Sequence, residues 1–299
     1  MRRIWFKLGL FILVLGITGG SLNLLCTEQI VRNAMACSIN YDAFREMKLS
    51  GQVIEEAQAR MEKLKNKKPE LKDKKYIDSI GYLTFCMLNS EFDLEKEKLA
   101  PEGAFLRGIE RLEQRQGYDK LYRYYRAILS DVKCFPIPDV DGCVEQDNKD
   151  ISFDDSWNGL RKYGGKRRHE GTDIMSKNNI RGYYPVLSIT DGTIEKLGWL
   201  EQGGYRVGVR APSGGYFYYA HLSSYAPELS IGDTIIAGQL LGFMGDSGYG
   251  KEGTFGQFDV HLHLGIYVET DAGEMSVNPF TLLQMLEAER SSFIRGNQK

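Results

Sequence analysis

The chain has 299 residues, 42% of them hydrophobic and 11% aromatic, enough for one large or two modest packed domains plus an anchor. A formal net charge of −2 excludes any global electrostatic argument for nucleic acid. The 33 glycines point to a turn-rich β portion.

In chain order, Arg2, Arg3 and Lys7 precede a run from Leu8 to Thr27 without a charged residue, and Glu28 follows it. At helical rise such a run spans about 30 Å, the thickness of a bilayer's hydrocarbon. The positive-inside rule keeps the N-terminus in the cytoplasm and places the remainder outside. An uncleaved signal-anchor at residues 1–27 is the first reading, because the run is longer than an ordinary signal-peptide core. Cleavage after Thr18-Gly19-Gly20 is the second, and would release a secreted form. Lipidation at Cys26 is the least favoured, because bulky Leu25 precedes it. All three export the chain, so the expected location is the cell membrane, single-pass, with the C-terminal part extracytoplasmic.

The five cysteines are Cys26, Cys37, Cys86, Cys134 and Cys143, and none makes a CxxC pair. Outside the membrane a Cys134–Cys143 disulfide is expected to close a short loop, while Cys37 and Cys86 either pair or stay buried. Residues 28–132 read as an α-helical module. Ser50 can cap a segment whose Val53, Ile54, Ala57, Met61 and Leu64 share one face. Further helices are expected through Leu106, Ile109 and Leu112, and through Leu121, Tyr125, Ile128 and Leu129, with breaks at Pro69 and Pro101. Seven lysines between Lys63 and Lys75 read as a solvated helix end rather than a lipid or wall contact. The bases and aromatics of Tyr118 to Arg126 read as an amphipathic helix, since export argues against nucleic acid.

Residues 133–164 lose the helical period and read as a linker. From Val186 short strands alternate with turns: Ser188 to Ile194, then Gly203-Gly204 before Tyr205 to Val209, then Ser213-Gly214-Gly215 before Tyr216 to Ala220. Asn278 caps and Pro279 begins a last helix packed through Leu282, Leu283 and Leu286. Residues 165–292 are therefore expected to form a mainly antiparallel β domain with a C-terminal helix. Gly242 to Gly250 is rejected as a phosphate loop, because it leads into a strand and not a helix, and is assigned as a flexible loop.

The strand at its end holds His261-Leu262-His263 within Phe258 to Val268, where period-2 alternation turns both imidazoles to one face. The chain has only four histidines, and the others are His169, in His169-Glu170-Gly171-Thr172-Asp173, and His221, in Ala220-His221-Leu222. Side by side, two histidines suit a metal ligand with a catalytic neighbour, or a polar strand face.

The order H-x-x-x-D, A-H-L, H-x-H resembles the LytM-type, lysostaphin-like (M23) zinc endopeptidases of bacterial cell walls. Asp191-Gly192-Thr193-Ile194, Ile231-Gly232-Asp233, Gly238 to Gly245 and Val277 to Phe280 extend the resemblance over about residues 165 to 290, leaving the first 160 uncovered. It implies a groove across one sheet, with Zn2+ held by His169, Asp173 and His263. It leaves His221 and His261 for proton transfer and oxyanion stabilisation; His261 is favoured as the base, though the sequence does not rank the two. The function implied is a membrane-anchored endopeptidase acting on stem or cross-bridge peptides of peptidoglycan, with envelope proteins as candidate partners of the helical module. The competing reading is a non-catalytic scaffold of the same fold in a division or sporulation complex; no site residue is missing, which disfavours it.

Overall fold

The computed structural model describes residues 24–36, 38–96, 98–140, 150–162 and 165–293. Most of the apolar run expected as an anchor lies outside these residues, as do Cys37 and Cys143. Among the described residues no helix is long and apolar enough to cross a membrane.

The chain divides into two compact units, one of residues 1–40 and 52–122 and the other of residues 41–51 and 123–299. Its helices are α1 (24–36), α2 (Tyr41–Glu46), α3 (Gly51–Lys67), α4 (Ser79–Asn89), α5 (Glu102–Leu112), α6 (Gln116–Leu129) and α7 (Phe280–Glu287). In the first unit α3 buries Val53, Ile54, Ala57, Met61 and Leu64, the face expected from their spacing. The lysines that follow are solvent-exposed except half-buried Lys65, and Lys75 pairs with Asp119 at 2.9 Å. Helix α5 buries Phe105, Ile109 and Leu112 but leaves Leu106 half-exposed. Helix α4 starts at Asp78, whose carboxylate accepts from the Gly81 N–H at 2.7 Å and from the Tyr122 hydroxyl at 2.7 Å. It is buried from Gly81 through Leu88, and its Tyr82 and Phe85 both pack on the Phe105 ring.

The second unit is built on a ten-stranded sheet. Before it come β1 (Asp139–Val140), β2 (Ile151–Ser152) and the small hairpin β3 (Leu160–Arg161) and β4 (Arg167–Arg168). The longer strands are β5 (Thr172–Ser176), β6 (Pro185–Leu187), β7 (Gly192–Leu200), β8 (Gly204–Arg210) and β9 (Tyr216–Tyr225). They continue as β10 (Thr234–Ile235), β11 (Leu240–Met244), β12 (His261–Thr270) and β13 (Gly273–Val277), and β14 (Ser292–Phe293) pairs in parallel with β1. The main path runs β10-β7-β8-β9-β12-β5-β2, and every pairing in this sheet is antiparallel. This is the mainly antiparallel β domain with a C-terminal helix that the sequence suggests. Alternation sends Ile174, Val207, Val209, Phe217, Tyr219, Leu262, Leu264 and Ile266 into the core, each fully buried.

Three expectations are corrected. Residues 41–51 and 123–132, assigned to the helical module, belong with the sheet. Phe44 packs against Tyr124 and Tyr125, Arg45 donates to the Ser276 carbonyl at 2.9 Å, and the Asp131 carboxylate accepts from the Ser213 N–H at 2.7 Å. Cys134 has Sγ 3.2 Å from the Ser188 carbonyl, and the expected bridge to Cys143 lies outside the described residues. Gly242 to Ser247 is not a flexible loop. Its first half is β11, and Asp246 and Ser247 are buried, Asp246 holding Arg181 at 2.5 Å and the Gly256 N–H at 3.0 Å. Helix α7 begins one residue later than expected, with Asn278 Oδ1 accepting from the Phe280 N–H at 3.0 Å.

Leu264 is fully buried in the strand between β5 and β9, so Leu264→Ala is expected to cost about 2–5 kcal/mol of stability, read as a lowered urea midpoint at unchanged slope.

Candidate metal centre

Strand β12 organises the site. His263 is paired with Asp173 of β5 on one side and with Ala220 of β9 on the other, while His261 is paired with Met175. His261 and His263 thus share the face opposite Leu262 and Leu264, as alternation requires. His169 stands three residues before β5, and its ring reaches the same point. Gly171 between them is obligatory, because a Cβ there would come within 2.7 Å of the His263 imidazole and 2.4 Å of the Leu264 carbonyl.

His221 reaches the face by a different route. On a regular strand Ala220 and His221 would point to opposite sides, yet both line the cleft. Residues 216–220 of β9 pair with β12, whereas residues 222, 224 and 225 pair with β11, and the register against β8 shifts between Tyr205 and Val207. His221 sits at this switch of partners with φ 63°, its N–H donating to the Gly203 carbonyl at 2.8 Å. The bulge turns its imidazole inward.

Three ligand atoms converge. His169 Nε2 lies 3.0 Å from Asp173 Oδ1 and 2.9 Å from His263 Nδ1, and His263 Nδ1 lies 3.0 Å from Asp173 Oδ1. The three residues form a group suited to a metal ion, the one such group among the described residues. His169 Nδ1 is 2.9 Å from the Ser156 carbonyl on the side away from the cluster. His169 Nε2, His263 Nδ1 and Asp173 Oδ1 are all atoms that can present a lone pair to a cation. The donor set of two imidazoles and one carboxylate is that of a catalytic zinc site, whose bonds of 2.0–2.1 Å put ligand atoms about 3.3 Å apart. The residues fit the metal. Arg161 of β3 hydrogen-bonds the outer oxygen of Asp173 and lies 2.9 Å from His169 Nδ1.

The other two histidines are oriented alike. His221 Nδ1 is 2.8 Å from the Ser247 carbonyl and His261 Nδ1 is 2.7 Å from the Asp259 carbonyl. Each therefore donates through Nδ1 and leaves Nε2 free for chemistry. His261 Nε2 is 3.7 Å from Asp173 Oδ1, and the His221 and His261 ring centroids are 4.7 Å apart. Burial raises the Asp173 carboxyl, but hydrogen bonds to His169 and His263 outweigh it and hold it well below the usual carboxylate range. Burial pushes His221, His261 and His263 below the usual imidazole value, keeping them neutral near pH 7.

The five residues singled out in the sequence all line one cleft of about 710 Å3. Sequence reasoning passed over Arg161, Arg167, Arg206 and Tyr218, which line it too. For Arg206 and Tyr218 the signal is present: alternation against buried Val207 and Tyr219 turns both to the cleft face. For Arg161 and Arg167 no periodic signal exists, because each lies in a two-residue strand.

An antiparallel sheet whose open face carries a preformed His-Asp-His cluster flanked by two further histidines defines a metal-site β domain. Residues 167–279 match the model of Peptidase family M23. The chain is 36% identical over 168 residues to the L-Ala–D-Glu endopeptidase of Bacillus subtilis (strain 168), covering 56% of this chain and 48% of that protein. It is 30% identical over 118 residues to lysostaphin of Staphylococcus simulans, covering 39% of this chain and 21% of that protein. The chain thus spans less than half the length of these curated relatives. A crystal structure of a candidate glycyl-glycine endopeptidase, LytM, from Ruminococcus gnavus aligns with 89% of this chain and 98% of its own. Its identity is 40% and its TM-score 0.67. The chain belongs to peptidase family M23.

Two outcomes are expected. With three imidazoles held below their unfolded value, the folded state binds fewer protons than the unfolded chain, so stability falls as pH drops through about 6.5. The urea midpoint of metal-stripped protein should be lower at about pH 5.5 than at about pH 7.5; equal midpoints would rule out buried neutral imidazoles. Gly171→Ala should displace the His263 ring and weaken metal affinity by at least about 10-fold, read by competition with a chelator.

Proposed function

We propose that the protein is a zinc endopeptidase of peptidoglycan, held at the outer face of the cell membrane by the apolar run of residues 8–27, with the zinc on His169, Asp173 and His263. The observation that carries this reading is the convergence of three ligand atoms within about 3 Å of one another beside two imidazoles whose Nε2 atoms are free. The relatives' names supply the substrate class: one is named for the L-Ala–D-Glu bond, and others for glycyl-glycine bonds. Bound zinc supplies Lewis acidity, polarising a peptide carbonyl and bringing water's pKa toward about 7.

The remaining work belongs to the chain's own groups. His261, whose Nε2 lies 3.7 Å from the Asp173 carboxylate, takes the proton of the attacking water. The imidazolium so formed at His261 returns that proton to the departing amine, and His221, which faces the same space from β9, would have to take up a second proton on Nε2 before it could donate to the developing oxyanion. The backbone carbonyls of Asp259 and Ser247 fix both tautomers, so neither ring has to reorient.

The test uses full-length protein, with metal content and digestion of purified sacculi measured side by side. Wild type should hold one zinc per chain and release muropeptides. Asp173→Asn and His263→Ala should lose the metal. His261→Ala and His221→Asn should keep the metal and lose roughly 10²- to 10⁴-fold in turnover, asparagine being chosen at 221 because it tolerates positive φ. Stoichiometric zinc with no cleavage of sacculi, muropeptides or glycine peptides would sink the enzyme reading.

A further inference from the structure

The cleft carries cations that neither the metal cluster nor proton transfer uses. Arg206 stands on β8 among residues whose alternate neighbours, Val207 and Val209, are fully buried, so its side chain rises from the cleft face. Its Nε and Nη1 atoms are shielded from solvent, and among the described residues neither has a hydrogen-bond partner. Arg167 Nε is in the same condition, while its Nη2 reaches the Tyr249 hydroxyl at 3.3 Å. Both arginines and Tyr218 line the same cleft.

The position follows from the sheet. His263 is paired with Ala220 of β9, and Arg206 lies on the strand beyond, between the pairs Tyr205–Leu222 and Val207–Tyr219. Two strand spacings put the Arg206 backbone roughly 10 Å from that of His263. Extended chain covers about 3.3–3.6 Å per residue, so a peptide lying across the cluster brings a group one or two residues from the cut bond within reach of the guanidinium. The cleft carboxylates are disposed otherwise. Glu274 lies near Arg210, Asp259 accepts from Asn179 Nδ2 at 3.1 Å, and Glu170 acts on Tyr267.

Two shielded guanidinium nitrogens of Arg206 without a partner need an acceptor, and the fork matches a carboxylate. A run of glycines has no side chain to offer. We propose that Arg206, assisted by Arg167, is a carboxylate-binding subsite, and that the peptide cut here is an acidic stem peptide rather than a glycine bridge. This rests on the peptidoglycan endopeptidase reading and names its substrate. Such stems carry more than one free carboxylate, and the glutamyl α-carboxylate, beside an Ala–Glu bond, is the nearest to a cut there.

The experiment takes full-length, zinc-loaded protein and four probes: L-Ala-γ-D-Glu-L-Lys, its glutamyl α-amide, its lysyl amide, and pentaglycine. Cleavage gives kcat/KM, and calorimetry on the His261→Ala form gives Kd. Wild type should favour the free glutamyl carboxylate over its amide by about 10- to 100-fold in both measures, the range for a hydrogen bond to a charged group. In R206Q the acid-to-amide ratio should fall toward one, and in R167Q part of the way, with melting curves showing both folded. A preference that follows the lysyl carboxylate keeps the subsite and moves it one residue along. Equal binding of acid and amide, equal use of pentaglycine, or an R206Q ratio like that of wild type overturns the subsite. If nothing is cleaved while acid binding still depends on Arg206, the subsite stands and the endopeptidase reading falls.

Discussion

The register of β12 against its two neighbours decides whether this site exists. Asp173 meets His263 because those residues are paired directly, and Ala220 on the other side leaves room for the imidazole. A slip of one residue in either ladder would send both His261 and His263 into the core and bring Leu262 out. The slip is opposed by Leu262, Leu264 and Ile266, all fully buried, so the hydrophobic pattern that folds the domain also sets the metal ligands. Folding and site assembly are one event here. The sheet pairing itself brings the ligand atoms together.

Three imidazoles and a carboxylate packed together in a buried place are costly unless each has a defined partner. Burial lowers the imidazoles' affinity for protons, which keeps their lone pairs available, and the same burial would neutralise Asp173 were it not hydrogen-bonded to His169 and His263. Backbone carbonyls lie against the ring nitrogens that face away from the cluster: Ser156 at His169, Ser247 at His221 and Asp259 at His261. Two of these carbonyls belong to segments without regular strand geometry, which explains why so much of the cleft wall is irregular chain held in place. Asp246 pinned to Arg181, and Ser247 buried with its hydroxyl on the Leu222 carbonyl, keep that wall rigid next to His221.

How much of this could be read in the sequence varies with the physical signal each element leaves. The H-x-H strand and helix α3 are each half-buried, so one face is apolar and the period shows. Helix α4 went unread because it is buried from Gly81 through Leu88; a helix apolar on all sides has no amphipathic period. Gly242 to Ser247 resembled a loop because glycine marks both turns and places where backbones approach closely. Here a Cβ at Gly245 would strike the Ser223 backbone at 2.5 Å, so the glycine serves packing. The role of 41–51 rests on contacts more than 200 residues distant in sequence, such as Arg45 with Ser276, and no local pattern announces those.

The face of the sheet also explains why Nε and Nη1 of Arg206 find no partner among the described residues. Going outward from His263, the rows of β9 and β8 alternate small and large residues: Ala220 before Tyr218, and Gly208 beside Tyr216, whose hydroxyl would lie 1.9 Å from a Cβ at that glycine. Tyrosine rings laid over glycines make an apolar floor, and a floor of rings gives hydrogen-bonding groups only at its edges. Such a surface shields Nε and Nη1 of Arg206 without giving them an acceptor, an arrangement that costs stability because a shielded donor loses its water and gains no bond. Its persistence on the floor of a cleft is accounted for when the missing acceptor arrives with the substrate.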